Sequence, residues 1–317
     1  MTNELILNGA SPLHWAELNR TSIEITGNDR VKFLHNFCTA DIKKLQPGEL
    51  CEAFVLNLKG KLLGLVHVAC HAAHLSVNTV SGQADVLMTH WNTFRIREQV
   101  AFRETTNELV WIFLFAQSNE GNAANSVVPQ LASSWFQTVQ FGCETIQLSR
   151  GEFAGPGWLL ELKRDDRAKI FSTLAETNAV AATQEQLAAH RIRYRTPWYG
   201  VDADTETLPQ EMQRNALAIS FTKGCYLGQE TVARIDAIGH VNRLLVCLRV
   251  SAPVDVALPV ALTQNQKEVG KLTSAVWSEL DSSHIALATI KRPLAVPAII
   301  VEVASATAEV IQPIPTT

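Results

Sequence analysis

The chain has 317 residues, 47% of them hydrophobic, and a formal net charge of -4. That length exceeds one hydrophobic core and predicts two or three subdomains. The mild negative charge argues against a protein that coats nucleic acid and confines any RNA contact to one face. The cysteines at 38, 51, 70, 143, 225 and 247 form no Cys-x-x-Cys and no Cys/His pair at zinc spacing, the pattern of reduced thiols rather than a disulfide framework. The opening MTNELILNGASPLHW lacks a basic leader, and no stretch reaches the ~18 apolar residues of a membrane span. A soluble, cytoplasmic monomer without membrane contact is expected.

Residues 22–25 alternate as a strand does and stop at Gly27-Asn28-Asp29, where Asn28 or Asp29 can cap a helix from Arg30 to about Asp41. Pro47-Gly48 ends that unit. Residues 52–58 and 62–70 then read as a hairpin closed at Lys59-Gly60-Lys61. His67, His71 and His74 fall in the β-like run with no carboxylate or thiol to complete a ligand set, so no metal site is expected. Helices are predicted over 84–94, 165–178 and 183–194, and strands over 100–104, 109–116, 135–149 and 158–162, with a loop over 118–126. This irregular alternation points to α+β layers of ferredoxin-like type rather than a doubly wound sheet. No GxGxxG, P-loop or GxSxG motif is present. Beyond Arg243 come short apolar runs separated by turns, the texture of a small barrel or sandwich, which puts a boundary between 1–240 and 241–317.

One stretch is more specific than the rest: Lys223-Gly224-Cys225-Tyr226-Leu227-Gly228-Gln229-Glu230. Two glycines bracket a lone cysteine, which lets the backbone turn sharply and approach a ligand. Lys223 brings a cation near a thiol whose reactivity depends on its thiolate fraction, as would a helix start in the QETVAR that follows. A tight turn around an inert, buried cysteine fits the same residues.

KGCYLGQE resembles the KGCYxGQE signature of the YgfZ proteins, a folate-binding branch of the glycine-cleavage T-protein (GcvT-like) superfamily. Leu208-Pro209-Gln210 and Asn215 are similar to the segment leading into it. Ile25-Thr26-Gly27, Phe33-Leu34, Thr39-Ala40-Asp41 and Asn57-Leu58-Lys59-Gly60-Lys61 resemble the family's opening, and Val269–Ser274 with His284–Ala288 its last domain. The resemblance implies a GcvT-like multidomain fold with α+β layers around a central cavity and a six-stranded C-terminal barrel. It also implies tetrahydrofolate as cofactor and an accessory role toward iron-sulfur enzymes or assembly factors and tRNA thiolation, with an indirect link to tRNA. The alternative it leaves is a folate-dependent aminomethyltransferase.

Carried over to this chain, the implied catalytic residues are Cys225 and Lys223. Asn57, Lys59, Gln210, Gly224, Tyr226, Gly228 and Gln229 are the implied folate contacts, lining a hole where the 57–61 turn, the 207–215 segment and the 223–230 loop meet, and Arg191 and Arg193, beside it, are expected to reach a folate's glutamate tail. Two departures matter. T-proteins have an acidic residue in the strand after the KGR-like turn and Arg where this chain has Gln229; here 62–67 holds no carboxylate, which disfavours aminomethyl transfer. Family members also commonly read RxExGxP where this chain has Arg191-Ile192-Arg193-Tyr194-Arg195-Thr196-Pro197, so Arg193 replaces the Glu that pairs with a pteridine edge. A guanidinium only donates and cannot take that edge. Arg191, Arg193 and Arg195 then suit a folate's glutamate tail or phosphates, or are the cations of a helix C-terminus. Cys225 is open to three roles: nucleophile, sulfur or persulfide acceptor, or transient iron-sulfur ligand. The other five cysteines are expected in the core.

Overall fold

The computed structural model describes residues 3–5, 7, 13–117, 136–151 and 153–314; the predicted 118–126 loop lies outside them. In chain order the elements are β1 (Asn3–Glu4), β2 (His14–Leu18), β3 (Arg20–Thr26), α1 (Arg30–Asn36), β4 (Leu50–Leu56), β5 (Leu62–Cys70), β6 (Leu75–Val80), α2 (Ala84–Phe94), β7 (Ala101–Glu104) and β8 (Leu109–Phe115). There follow β9 (Phe136–Phe141), β10 (Glu144–Gly151), β11 (Gly157–Lys163), α3 (Arg167–Ala175), β12 (Val180–Ala181), α4 (Gln184–Arg193), α5 (Asn215–Ala218) and α6 (Gln229–Ile238). The last part holds β13 (Arg243–Val250), β14 (Val260–Gln264), β15 (Lys267–Ser278), β16 (Ser283–Lys291), β17 (Ile300–Val303) and β18 (Ala306–Ile311).

Among the described residues the strands form a five-stranded sheet, β4-β5-β6-β3-β7, a seven-stranded sheet, β1-β9-β10-β11-β8-β2-β12, and a closed barrel, β13-β16-β15-β14-β17-β18. The chain starts in the seven-stranded sheet, where His14 to Leu18 pair with Phe115 to Trp111, crosses at Asn19 and pairs Arg20 with Val80 in the other. The sheets face each other across Leu50, Ala69, Phe113, Phe115 and Leu159. α1 and α2 cover the outer side of the five-stranded sheet with Phe33, Leu34, Leu87 and Trp91, and α3 covers the seven-stranded one with Ile170 and Leu174. β5 is therefore buried on both faces, which explains the nearly unbroken apolar run LLGLVHVAC. Each fully buried Leu, Ile or Phe in these layers contributes about 1.5–3 kcal/mol of transfer free energy.

α4 starts on a capping box: Gln186 N donates to Thr183 Oγ1 (3.2 Å) while Thr183 N donates to Gln186 Oε1 (2.9 Å). It packs against the barrel, whose outer face gives Leu245, Cys247, Ile285 and Leu287 to a core shared with Phe54, Leu65, Ile192 and Tyr226.

Several expectations need correction. The first helix ends at Asn36, because Thr39 turns inward: its amide donates to Phe54 O (3.0 Å) and its hydroxyl to Ala218 O (2.5 Å), which draws the chain off the helix. Asp29 is the N-cap residue, but its carboxylate accepts from Gln99 N (2.7 Å) instead of the helix. The 135–149 run is two strands, β9 and β10, folded back at Gly142, whose φ of 61° lies in the left-handed region. The 165–178 helix is shorter at both ends, and β6 was not anticipated.

Candidate functional site

The three motif segments converge. The 57–61 turn is tied by its own side chain, Asn57 Oδ1 accepting from Lys59 N (2.9 Å) and Lys61 N (3.1 Å). Leu62 N donates to Thr207 O (3.0 Å), and Lys61 pairs with Glu206, joining that turn to the 207–215 segment. Thr231 Oγ1 donates to Lys59 O (3.0 Å), and Gln210 Nε2 donates to Val232 O (2.9 Å), which brings in α6. Gly60 and Gly228 make the approach possible: a Cβ on Gly228 would stand 2.8 Å from Asn57 O, and one on Gly60 2.9 Å from Gly228 O. Both have positive φ, 75° and 80°. Their smallness serves the packing of the two loops on each other.

Cys225 is exposed on the loop so formed. It precedes α6 by a turn closed through Gln229, whose Oε1 accepts from Tyr226 N (3.3 Å), so it is not at the helix start. Tyr226 is buried, and burial pushes its phenol up to about 12. Lys223 does not attend the thiol. Its ammonium is buried and donates to the carbonyls of His35 (2.5 Å), Cys38 (2.7 Å) and Ala40 (2.8 Å), with Tyr226's ring 4.8 Å away. Burial lowers its affinity for the proton, opposed by Cys38, Asp41 and Cys51. Lys223 is thus the peg that fastens the loop to the end of α1, which corrects its expected catalytic place. His35 lies under the loop, its Nε2 4.0 Å from where a Cβ on Gly224 would be, with Nδ1 3.2 Å from Asp41 Oδ1. Burial, then Lys223, keep it neutral toward lower pH.

Arg191 and Arg193 are not a free cationic patch. Arg191 is 3% exposed; its Nη1 donates to Asp202 Oδ2 (2.5 Å) and Thr196 O (3.1 Å), its Nη2 to Ser274 Oγ (2.7 Å), and Trp198's ring lies 4.6 Å from it. Arg193 Nε is 3.0 Å from Asp281 Oδ2. Both fasten α4 to the barrel, so the expected reach to a glutamate tail is corrected. Of the other cysteines, Cys38, Cys70 and Cys247 are buried and Cys51 is partly so, but Cys143, at the β9–β10 turn, is exposed.

A second constellation escaped the sequence reading. Between the sheets, Arg214 grips Glu52 with two hydrogen bonds of 2.5 Å. His67 Nε2 is 3.9 Å from Glu52 Oε2, and Arg20 Nη2 is 3.3 Å from His67 Nδ1. From the other sheet Glu161 Oε2 accepts from Trp111 Nε1 (3.0 Å) and, across the gap, from Asn78 Nδ2 (3.5 Å). Phe153 lies against His67 (4.5 Å between centroids) and Arg20. Burial holds His67 neutral, helped by Arg20 and Arg214, and pushes the Glu161 carboxyl up. Arg20 Nε, His67 Nε2 and Asn78 Oδ1 are buried without hydrogen-bond partners. Glu161 keeps accessible surface, whereas Arg20, Glu52, His67, Asn78 and Arg214 are buried. The only sequence signal was a lone ionisable residue inside a mostly apolar strand, at Glu52, His67 and Glu161. No group of three or more metal-ligating residues occurs among the described residues.

No protein-family model matches the chain. The fold is similar to that of the glycine cleavage system aminomethyltransferase T from Bartonella henselae, with a TM-score of 0.79 at 15% identity over 97% of this chain and 87% of that one. It is a GcvT-like α+β fold with a closed C-terminal barrel. The chain is 26% identical to a chloroplastic putative transferase of Arabidopsis thaliana over 86% of its length, spanning 64% of that protein. It is 26% identical to the tRNA-modifying protein YgfZ of Colwellia psychrerythraea (72% of this chain, 68% of the relative) and 25% identical to that of Aliivibrio fischeri (88% and 85%). In sequence the chain is similar to YgfZ proteins along most of its length, and in fold to the GcvT aminomethyltransferase.

Proposed function

We propose that this protein is a tetrahydrofolate-binding accessory factor that supports iron-sulfur enzymes and, through them, tRNA modification, working through an exposed Cys225. The observation that carries this reading is the convergence of the 57–61, 207–215 and 223–230 segments around a thiol that is exposed while the peg beneath it is buried. Asn57, Lys59, Gln210, Gly224, Tyr226, Gly228 and Gln229 shape that loop. The folate reading needs an acceptor in place of the one lost at Arg193. Glu161 is suited to it: an acidic residue that is only partly buried, near Asn78 and Arg20, each of which has a buried polar atom without a hydrogen-bond partner. A pterin ring presents adjacent donors to a carboxylate and an acceptor to a guanidinium, which fits this mixed set. Glu161, Asn78 and Arg20 would hold the ring; when bound, folate supplies a one-carbon carrier. β5 offers His67 and no carboxylate, which weighs against aminomethyl transfer.

Calorimetric titration with tetrahydrofolate tests the cofactor. Binding to the unaltered protein is expected, and Glu161→Gln should weaken it at least tenfold, since a hydrogen bond to a charged group contributes about 1.5–3 kcal/mol. Absence of binding to the unaltered protein discards the folate reading. Complementation of iron-sulfur enzyme activity in cells lacking the protein tests the thiol: full rescue by Cys225→Ala would leave the cysteine a loop residue.

A further inference from the structure

A groove of about 370 Å³ crosses the rim of the barrel, between the end of β13, the turn from β15 to β16, and residues of β17 and β18. Its volume lies in the range of small-ligand sites, roughly 300–1,000 Å³. Trp277 stands in it with 47% of its surface exposed, directly opposite His284 across the β15/β16 ladder. The two rings are 5.0 Å apart and inclined by 67°. In that edge-to-face arrangement the imidazole covers at most one indole face. Arg249 borders the same groove; its Nη1 is 3.8 Å from Glu309 Oε2, an exposed pair of the kind that contributes little and that a phosphate can displace. Ser283 Oγ is buried and has no hydrogen-bond partner, and the hydroxyls of Ser251 and Thr307 lie 3.2 Å apart on the other bank. The turn that carries Ser283 is held in place: Ser278 Oγ donates to Asp281 Oδ2 (2.6 Å), and the same carboxylate holds Arg193 of α4.

We propose that this groove binds an unpaired nucleotide of RNA, its base stacked on Trp277, its phosphate on Arg249, and its ribose and base edge met by the hydroxyls of Ser251 and Ser283. A π-face beside a single cation and several neutral hydroxyls is what a flipped or single-stranded nucleotide requires, and it serves any base. The overall charge of -4 suits a contact confined to one such groove. The inference rests on the RNA side of the proposed function, and it gives RNA a direct surface on residues other than the Cys225 loop.

Anisotropy of fluorescein-labelled decamers of uridylate and adenylate, titrated with the full protein, tests it, with a parallel tetrahydrofolate titration on every sample. Both decamers should bind the unaltered protein. Trp277→Ala should weaken them about tenfold or more, Trp277→Phe should retain most of the affinity, and Arg249→Ala should lower the slope of log affinity against log salt by about 0.7, the share of one phosphate on a single strand. Folate binding should be unchanged in all three variants, which also reports that they are folded. If the unaltered protein binds folate but neither decamer, the groove is not an RNA site while the folate reading stands. Decamer affinities equal in Trp277→Ala and the unaltered protein overturn the assignment of the groove. If neither ligand binds, both readings fall.

Discussion

The two-sheet body and the barrel differ in what their interiors hold beside apolar side chains. Inside the barrel the contacts are between small aliphatic side chains: Val246, Leu248, Leu262, Leu272, Ala286, Ala288, Ile290, Val301 and Val310. Between the sheets of the body stand Arg20, Glu52, His67, Asn78 and Arg214, with Glu161 beside them. Burying such groups costs several kcal/mol per ion, and well-packed apolar residues of the same volume often do as well or better. The barrel shows that this protein can build an apolar core. The charges in the body are therefore better explained by what the gap between the sheets does than by stability.

The sharpest way to break that comparison is to strip one partner from the body's ion pair. Arg214→Ala leaves Glu52 buried and unpaired, and urea unfolding should show a loss of about 3–5 kcal/mol. Replacing both, Glu52→Leu with Arg214→Met, should return stability to that of the unaltered protein or above it while tetrahydrofolate affinity falls. A double variant as unstable as the single one would mean that the pair is structural. In the barrel, Leu248→Ala should cost about 2–5 kcal/mol by the cavity it leaves, with folate affinity unchanged.

Acid separates the regions next. Burial lowers the pKa of His67 well below its ordinary value and those of His71 and His190 to about 4, and all three belong to the body. Between about pH 6.5 and 4 the unfolded chain binds these protons and the folded one does not. Stability is therefore fully present above the unfolded value near 6.5 and declines as pH falls toward 4, by up to about 1.4 kcal/mol per pH unit for each histidine. Thermal unfolding across that range should fall steadily, and His190→Gln should flatten the fall by about one histidine's share. The smallest effect is expected at the exposed loop: Cys225→Ala should change unfolding free energy by no more than about 0.5 kcal/mol. Site-resolved iodoacetamide labelling should find Cys225 and Cys143 modified before the buried cysteines.

Long patterned segments were legible in the sequence. β5 and α2 fall on the predicted residues because their apolar pattern is set by burial against neighbours on known faces. The motif loops were legible as well, since glycines and turn residues mark them. Partners were not. Nothing near Lys223 in the chain announces the carbonyls of residues 35 to 40, and nothing near Arg193 announces Asp281, so two cations that looked available turned out to be structural pegs. The same holds for Glu161 and Asn78, which meet only because two sheets face each other. The first helix was overextended for a related reason: the hydroxyl of Thr39 finds acceptors on Ala218, far along the chain.

The crossing at Asn19 bears on how the chain assembles. Every ladder of the five-stranded sheet lies between Arg20 and Glu104, so that sheet can close as soon as those residues have left the ribosome. β2, made earlier, has no partner until β8 appears after Leu109, and the rest of its sheet waits for β11. During synthesis β2 is an unpaired strand edge joined to an already folded unit, the situation in which wrong pairing with another chain is most easily made. Ribosome-stalled chains in which Glu104, but not Leu109, has emerged from the exit tunnel should already protect the amides of β3 to β6 from exchange and leave those of β2 open.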